Sequence, residues 1–224
     1  MFDNIAEGYD DLNRNMSLGV DSRWRQFVID YLKIRSVWPV KVLDVATGTG
    51  DMALMAAVQL NPDSVIGVDI SEEMMRIGRE KVEAAGLSNI ITLLKEDCAS
   101  MSFEDDTFDA VISAFALRNF EDISQCLKEM YRVLAPGGSI AVIDLCKPRR
   151  FPMKQLFAIY RKCVMPFISH RFIGDKEAAN YLNDTMNVVP VGKDMAKLFK
   201  DAGFKDVGYR SLPSGICYLY SGTK

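Results

Sequence analysis

Residues 41–53, with the sequence KVLDVATGTGDMA, constrain the fold of this chain more than any other segment. Val42, Leu43 and Val45 form an apolar pattern that is typical of a buried parallel strand. Gly48 and Gly50 follow it, and they let the backbone pass close to a ligand because they lack a Cβ atom. A strand, a glycine-containing turn and a helical segment in this order predict a nucleotide-binding unit.

An acidic residue follows at the spacing that such a unit requires. The run SVIGVD ends in Asp69, about twenty residues after the glycine turn. A carboxylate at the end of the second strand can accept hydrogen bonds from both ribose hydroxyls of a nucleoside. The sequence therefore predicts an adenosine-containing cofactor.

The residues around the turn indicate which cofactor this is. Gly48, Gly50 and Ala53 satisfy the dinucleotide pattern G-x-G-x-x-A, but glycines after a strand are common in turns. Asp44 and Asp51 flank the turn, and carboxylates there would repel a pyrophosphate. They suit a cofactor with a cationic amino-acid end, such as S-adenosylmethionine. The alternative for Asp51 is that it only caps the following helix.

Length and composition predict one domain that spans residues 1–224. Hydrophobic residues make up 49% of the chain and charged residues 25%, which are ordinary globular values. The five cysteines are scattered without C-x-x-C spacing, and His170 is the one histidine, so no metal site is expected. The reduced thiols, and the lack of a signal peptide or membrane-spanning stretch, predict a cytoplasmic protein.

Strand-like and helical segments alternate after a mostly helical or irregular segment at 1–40. Strands are predicted at 41–46, 64–69, 90–96, 108–115, 139–146, 206–211 and 215–222. Helices are predicted at about 50–60, 71–85, 121–134 and 193–202, with Ser71 as an N-cap and Gly86 as a C-terminal stop. This order predicts a doubly wound parallel sheet with its ligand outside the carboxyl ends of the strands.

The sequence resembles the ubiquinone/menaquinone biosynthesis C-methyltransferase family over nearly its whole length. The resembling segments are FDNIAEGYDDLNRNMSLGVDSRWR at 2–25, LDVATGTGD at 43–51, VDISEEMMRIGREK at 68–81, FEDDTFDAVISAFALRNF at 103–120 and EMYRVLAPGGSIAVIDLCKP at 129–148. The resemblance implies a class I methyltransferase fold, which is an α/β Rossmann-like, doubly wound, mostly parallel seven-stranded sheet with an antiparallel last strand. It also implies S-adenosylmethionine-dependent methylation of a prenylated quinol, of the demethylmenaquinol to menaquinol type.

The resemblance also implies where the cofactor binds. Asp69 would hold the ribose, Asp97 the adenine amino group, and Gly48 to Gly50 the methionine end. The full set of expected cofactor residues is Ala46, Gly48, Thr49, Gly50, Asp69, Ile70, Met74, Asp97, Cys98 and Ala114.

Some positions depart from the family pattern. Asp21 and Tyr220 stand where the family usually has His, and Ala114 stands where Ser is common. Asp144 and Cys146 replace a usual Glu and Ser. These positions fall where substrate and proton transfer would be handled.

Methylation of a ring carbon requires that a neighbouring hydroxyl lose its proton and that the phenolate charge be stabilised. Arg118 is better suited to electrostatic stabilisation than to proton acceptance, and Asn119 can orient a hydroxyl or a water. The candidate proton handlers are Asp21, Tyr9, Tyr218 and Tyr220. The alternatives are ordinary core packing for the tyrosines and a surface ion pair for Arg118.

Residues 147–174 contain seven basic residues and no acidic one. Apolar residues recur among them at helical spacing, so we expect a basic amphipathic helix within a substrate-lid insert at about 147–190. It either packs on the domain with a solvated basic face or also contacts the anionic surface of a membrane. No pattern typical of nucleic-acid binding is present.

Two other functions remain as alternatives. One is methylation of another small phenolic or lipid acceptor. The other is a short NAD(P)-dependent oxidoreductase, which would carry a Tyr-x-x-x-Lys pair after the fourth strand, and the sequence has none there.

Overall fold

The computed structural model describes residues 2–35, 39–148, 150–164, 185–186, 189–213 and 215–224. Its strands are β1 Lys41–Val45, β2 Ser64–Asp69, β3 Ile91–Lys95, β4 Phe108–Ala114, β5 Leu134–Leu145, β6 Lys205–Ser211 and β7 Cys217–Thr223. The helices that it describes are α1 Phe2–Met16, α2 Asp21–Ile34, α3 Asp51–Leu60, α4 Glu72–Ala84, α5 Ile123–Val133, α6 Met153–Cys163 and α7 Lys193–Asp201. A short 3₁₀ turn covers Leu117–Asn119.

The seven strands form one sheet in the order β3-β2-β1-β4-β5-β7-β6. All neighbouring pairs from β3 to β5 are parallel, and β7 runs antiparallel between β5 and β6. The predicted fold class is therefore confirmed. The strand order reverses beside β1, so a crevice opens at the carboxyl ends of β1 and β4.

Alternation along β1 shows how the helices cover both faces of the sheet. Val42 packs in one core with residues of α2 and α3, whereas Leu43 and Val45 pack in the other with residues of α5 and α7. All three side chains are fully buried. Successive side chains of a strand point to opposite faces, so apolar residues at both even and odd positions are what a sheet buried on both faces requires.

The predicted helix signals around α4 are confirmed. Ser71 Oγ accepts a hydrogen bond from the Met74 backbone N–H at 3.3 Å, and Gly86 has a φ of +68° just beyond the end of the helix. Asp51 is not a cap, because Gly50 occupies that position and Asp51 is the first helical residue.

β5 begins earlier than expected. The sequence predicts a strand from residue 139, but Leu134 already pairs with Phe108, and an irregularity follows between Phe108 and Ala110. The Pro136-Gly137-Gly138 turn lies within the strand as a local bend rather than before it. The pairing partner across the sheet, which the local sequence does not reveal, sets this boundary.

Part of the predicted amphipathic helix is observed as α6, which contains no buried residue. The rest of the expected helix, from 165 to 174, lies outside the described residues, as does the lid segment up to 184. Within the described ranges, no helix combines the length and the apolar character needed to cross a membrane.

Candidate active site

The loop after β1 is held tightly against β2. Ala46, Gly48 and Gly50 have φ values of +56°, +56° and +79°, and the Thr47 backbone N–H donates to the carbonyl oxygen of Val68 at 2.9 Å. Gly67 makes this approach possible, since a Cβ there would lie only 2.8 Å from Thr47 Oγ1. The loop backbone therefore faces the crevice at the end of β1.

Asp69 is fixed at the end of β2 by backbone donors. Its Oδ2 accepts from the Gly48 N–H at 2.8 Å, and its Oδ1 accepts from the Ser71 N–H at 2.9 Å. These two backbone donors fix the direction in which the Asp69 carboxylate points. The carboxylate predicted to hold a ribose is thus oriented in advance.

A cavity of about 430 Å³ opens in front of this loop, and we call it the acidic cavity. The described residues that line it include five carboxylates and no lysine, arginine or histidine. The lining residues are Tyr9, Ala46, Gly48, Val68, Asp69, Ile70, Met74, Glu96, Asp97, Cys98, Ala99, Ala114, Phe115, Ala116, Asn119, Phe120, Glu121, Asp122 and Cys126. Such a wall favours a ligand with positive charge and disfavours a pyrophosphate.

Eight of the ten predicted cofactor residues line the acidic cavity, and Thr49 and Gly50 do not. Thr49 Oγ1 instead donates to Asp10 Oδ1 on α1 at 2.7 Å and accepts from Lys81 Nζ on α4 at 3.2 Å. Lys81 also pairs with Asp10 and with Asp51. The Thr49 side chain therefore links α1 to the loop by hydrogen bonds, and Thr49 is not among the residues that line the acidic cavity.

Asp44 lies beneath the loop and is completely buried. Its Oδ2 accepts from Thr47 Oγ1 at 2.6 Å, while its Oδ1 has no hydrogen-bond partner within the part of the chain that the structure describes. Burial raises the pKa of Asp44 to about 7, although the Thr47 hydrogen bond and the charge of Arg25 oppose the shift.

A second cavity of about 510 Å³ lies on the other side of Phe115, and we call it the apolar cavity. Its walls come from the α1–α2 turn, α2, α6 and the segment before β7. The lining residues are Met16, Ser17, Leu18, Val20, Asp21, Trp24, Phe115, Arg118, Leu145, Met153, Leu156, Phe157, Tyr160, Met186, Pro213 and Ile216. Among the described residues that line it, Asp21 and Arg118 are the two with charged side chains, so this part of the space suits a largely apolar ligand with few polar groups.

Arg118 is not a surface residue. Its side chain is 8% exposed, and Nη1 pairs with Asp144 Oδ1 and donates to the carbonyl oxygen of Phe115 at 2.6 Å. The backbone N–H of Arg118 also donates to Asp144 Oδ2 at 2.8 Å, and the buried Nε has no hydrogen-bond partner among the described residues. Asp144 therefore orients a guanidinium that borders the apolar cavity.

Asp21 is held by two donors. Ser17 Oγ donates to its Oδ1 at 2.8 Å, and Arg25 pairs with its Oδ2. Burial alone would raise the pKa of Asp21, but these two hydrogen bonds outweigh burial and lower it. A carboxylate with a lowered pKa is a weak base.

Tyr220 and Tyr218 line neither of the two cavities described here. Tyr220 packs in the core, stacked between Phe199 and Tyr218, and its hydroxyl accepts from the Gly192 backbone N–H at 2.9 Å. Burial also raises its pKa. For Tyr220 the packing alternative fits the structure, because the strand turns this position toward α7.

Phe115 is the residue that the two cavities share, and it was not among the predicted site residues. Its ring contacts Trp24 and Arg25 on α2, two residues that were also missed. The sequence does hold a signal for Phe115, because this residue directly follows β4 and is next to Ala114, at the carboxyl ends of the strands where the ligand is expected. Tyr9 and Asn119, which are predicted to be catalytic, line the acidic cavity as well.

The chain is similar to known methyltransferases along its whole length. The model of the ubiE/COQ5 methyltransferase family matches residues 1–224. A demethylmenaquinone methyltransferase from Bacteroides fragilis is 49% identical, over all of this chain and 91% of that protein. A ubiquinone/menaquinone biosynthesis C-methyltransferase UbiE from Geobacter sulfurreducens is 40% identical, over all of this chain and 87% of that protein.

Solved structures support the fold. A SAM dependent methyltransferase from Aquifex aeolicus has a TM-score of 0.62 against this chain at 22% identity, covering 94% of this chain and 97% of the other. At this level of identity the likeness concerns the fold alone.

Proposed function

Because the chain belongs to the ubiE/COQ5 methyltransferase family and is an S-adenosylmethionine-dependent methyltransferase, we propose that it methylates a ring carbon of a prenylated quinol. A demethylmenaquinol is the favoured acceptor, in line with the name of the Bacteroides fragilis relative, and a benzoquinol is the alternative. Membership of this family excludes the alternative function of a short NAD(P)-dependent oxidoreductase. The observation that carries the proposal is that the acidic and apolar cavities meet at Phe115.

The acidic cavity fits the cofactor by its chemistry. S-adenosylmethionine supplies a methyl group that is electrophilic because it is bonded to a positively charged sulfur. We propose that Asp69 holds the ribose hydroxyls, that Asp97 and Cys98 face the adenine, and that Gly48 faces the methionine end. A Cβ on Gly48 would meet no protein atom within 4 Å, so the loop is open toward the ligand.

The apolar cavity fits the acceptor. Its aliphatic and aromatic walls suit a quinol ring and the first part of a prenyl tail. We propose that Arg118, oriented by Asp144, stabilises negative charge on the ring oxygen, and that Asn119 orients the same oxygen or a water. A preoriented cation in a dry site needs no reorganisation when charge develops.

We propose Asp21 as the first acceptor of the hydroxyl proton, directly or through a water, with Tyr9 as the alternative. Asp21 lines the apolar cavity, whereas Tyr9 lines the acidic one. Since its pKa is lowered, Asp21 would pass the proton on to solvent rather than keep it. Tyr220 is left out of the proposed catalytic set.

We further propose that α6 contacts an anionic membrane surface. Phe157 and Tyr160 on α6 line the apolar cavity, whereas Ile159 is 60% exposed. The exposed basic residues of the helix are Lys154, Arg161 and Lys162. A prenyl tail held under α6 would then leave the cavity directly into lipid.

Vesicle binding tests the membrane contact. Binding to anionic vesicles should exceed binding to neutral ones and should fade with added salt. The double variant Arg161→Glu/Lys162→Glu should lose most of it, since each basic residue near such a surface contributes about 1 kcal/mol. Lys197→Glu, on the exposed face of α7, is the matched control. If the double variant and Lys197→Glu bind anionic vesicles equally well, the proposed contact between α6 and the membrane is contradicted.

A methyl-transfer assay tests the function itself. The purified enzyme is given methyl-labelled S-adenosylmethionine with a short-chain demethylnaphthoquinol or a demethylbenzoquinol, and the labelled product is identified by mass spectrometry. We expect a carbon-bound methyl group on the naphthoquinol. Label found on oxygen, or on neither ring, would refute the proposal.

A further inference from the structure

Phe115 has an unusual backbone. Its φ is +64°, a left-handed conformation that is rare for a bulky side chain. Its N–H donates to the carbonyl oxygen of Ile143 at 2.8 Å, and its own carbonyl oxygen accepts from Arg118 and from Asn119. Strain of this kind persists only where the surroundings hold it in place, and it occurs preferentially at functional sites.

The ring of Phe115 is also fixed from α2. Trp24 meets it edge to face, with the ring centroids 6.2 Å apart. The guanidinium carbon of Arg25 lies 5.1 Å from the Phe115 centroid, and Arg25 is itself anchored by Asp21 and Asp51. The contacts of Trp24 and Arg25 limit the orientations that the ring can adopt.

Phe115, which lines both cavities, therefore has a strained backbone and a ring that Trp24 and Arg25 hold in place. We propose that Phe115 is an acceptor-positioning residue, whose ring packs against the quinol ring and aligns it with the methyl group at the wall that the two cavities share. This inference rests on the proposed function. It adds a residue that sets the alignment of the acceptor without contributing a charge or a proton.

This role has a specific kinetic consequence. Alignment acts on the transition state, so loss of the ring should lower kcat while the affinity for the cofactor is kept. A misplacement of about 1 Å can cost on the order of a hundredfold in rate. A residue that only filled space would instead affect stability and both affinities together.

The test compares Phe115→Leu with the conservative variant Phe115→Tyr, using a short-chain demethylnaphthoquinol as acceptor and calorimetry with S-adenosylhomocysteine on the free enzyme. The control is Leu156→Ala, which shortens a side chain that lines the apolar cavity but not the acidic one. We expect Phe115→Leu to lose about tenfold or more in kcat with unchanged S-adenosylhomocysteine affinity, and Phe115→Tyr to retain most of its kcat. Leu156→Ala should raise KM more than it lowers kcat.

The inference is overturned if Phe115→Leu keeps the wild-type kcat, if its S-adenosylhomocysteine affinity falls in step with kcat, or if Phe115→Tyr is equally slow. Failure of the proposed function looks different, because the wild-type enzyme itself would then not methylate the naphthoquinol.

Discussion

The guanidinium of Arg118 and the carboxylate of Asp144 form a buried ion pair beside the apolar cavity. Because Asp144 is 3% exposed, removing Arg118 leaves a charge that water cannot reach. The residue proposed to stabilise the phenolate is therefore also needed for stability, and the two roles must be measured separately.

Arg118→Ala should lower the free energy of unfolding by about 3–5 kcal/mol, the usual cost of breaking a buried pair. Adding Asp144→Asn should recover part of that loss, because the unpaired charge is gone. Urea unfolding of the single and double variants gives both values, with Arg76→Ala on the exposed face of α4 as the control. A single variant as stable as the wild type would contradict the pairing.

Asp44 makes the stability depend on pH. Its pKa is about 7 in the folded protein, against 3.8 ordinarily, so the folded state binds this proton more tightly. Protonation of Asp44 therefore stabilises the folded state. This contribution to the free energy of unfolding is fully present below pH 3.8 and is lost as the pH rises through about 7.

Asp44→Asn removes this titration. The wild type should therefore lose stability relative to the variant between about pH 4 and pH 7, by on the order of 4 kcal/mol. Urea unfolding at several pH values measures the difference. If the difference in the free energy of unfolding between the wild type and Asp44→Asn stays constant across this pH range, the raised pKa of Asp44 is contradicted.

At the scale of the elements, α1 is tied to the core by a small polar network. Lys81 on α4 pairs with Asp10 on α1 and with Asp51 on α3, and Thr49 also bonds to Asp10. Tyr9, next to Asp10, lines the acidic cavity. The network therefore holds one wall of that cavity.

Lys81→Ala should raise the rate of amide hydrogen exchange across residues 2–16. The free energy of unfolding should change by less than about 1 kcal/mol, because the Lys81 side chain is partly exposed. Hydrogen exchange followed by mass spectrometry measures this, and Arg76→Ala serves as the control on the same helix. Unchanged exchange in α1 would show that other contacts hold it.

The elements also show what the sequence could predict. β2 was predicted within its observed bounds because local signals define it, namely an apolar run that ends in Asp69. The start of β5 at Leu134 was missed because it depends on pairing with Phe108, 26 residues away in the chain. The resemblance implies a cofactor contact for Thr49, and the chemistry of a phenol makes Tyr220 a candidate proton handler. The surroundings of these two side chains depend on α1 and α7, which local sequence does not place.

On the scale of the whole molecule, two cavities of different chemistry lie on either side of one aromatic residue. The sheet provides the acidic cavity at the carboxyl ends of β1, β2 and β4. The N-terminal helices and α6 add the apolar one. The division matches the two ligands of the proposed reaction, one cationic and one apolar, and it brings them together where Arg118 and Asn119 lie.

The most direct test of this arrangement is a crystal structure of the enzyme with S-adenosylhomocysteine and a short-chain menaquinone. We predict that the ribose hydroxyls lie within about 3 Å of the Asp69 carboxylate. The naphthoquinone ring should lie in the apolar cavity against Phe115, with the cofactor sulfur facing it. A ring bound elsewhere, or a sulfur directed away from Phe115, would contradict the account.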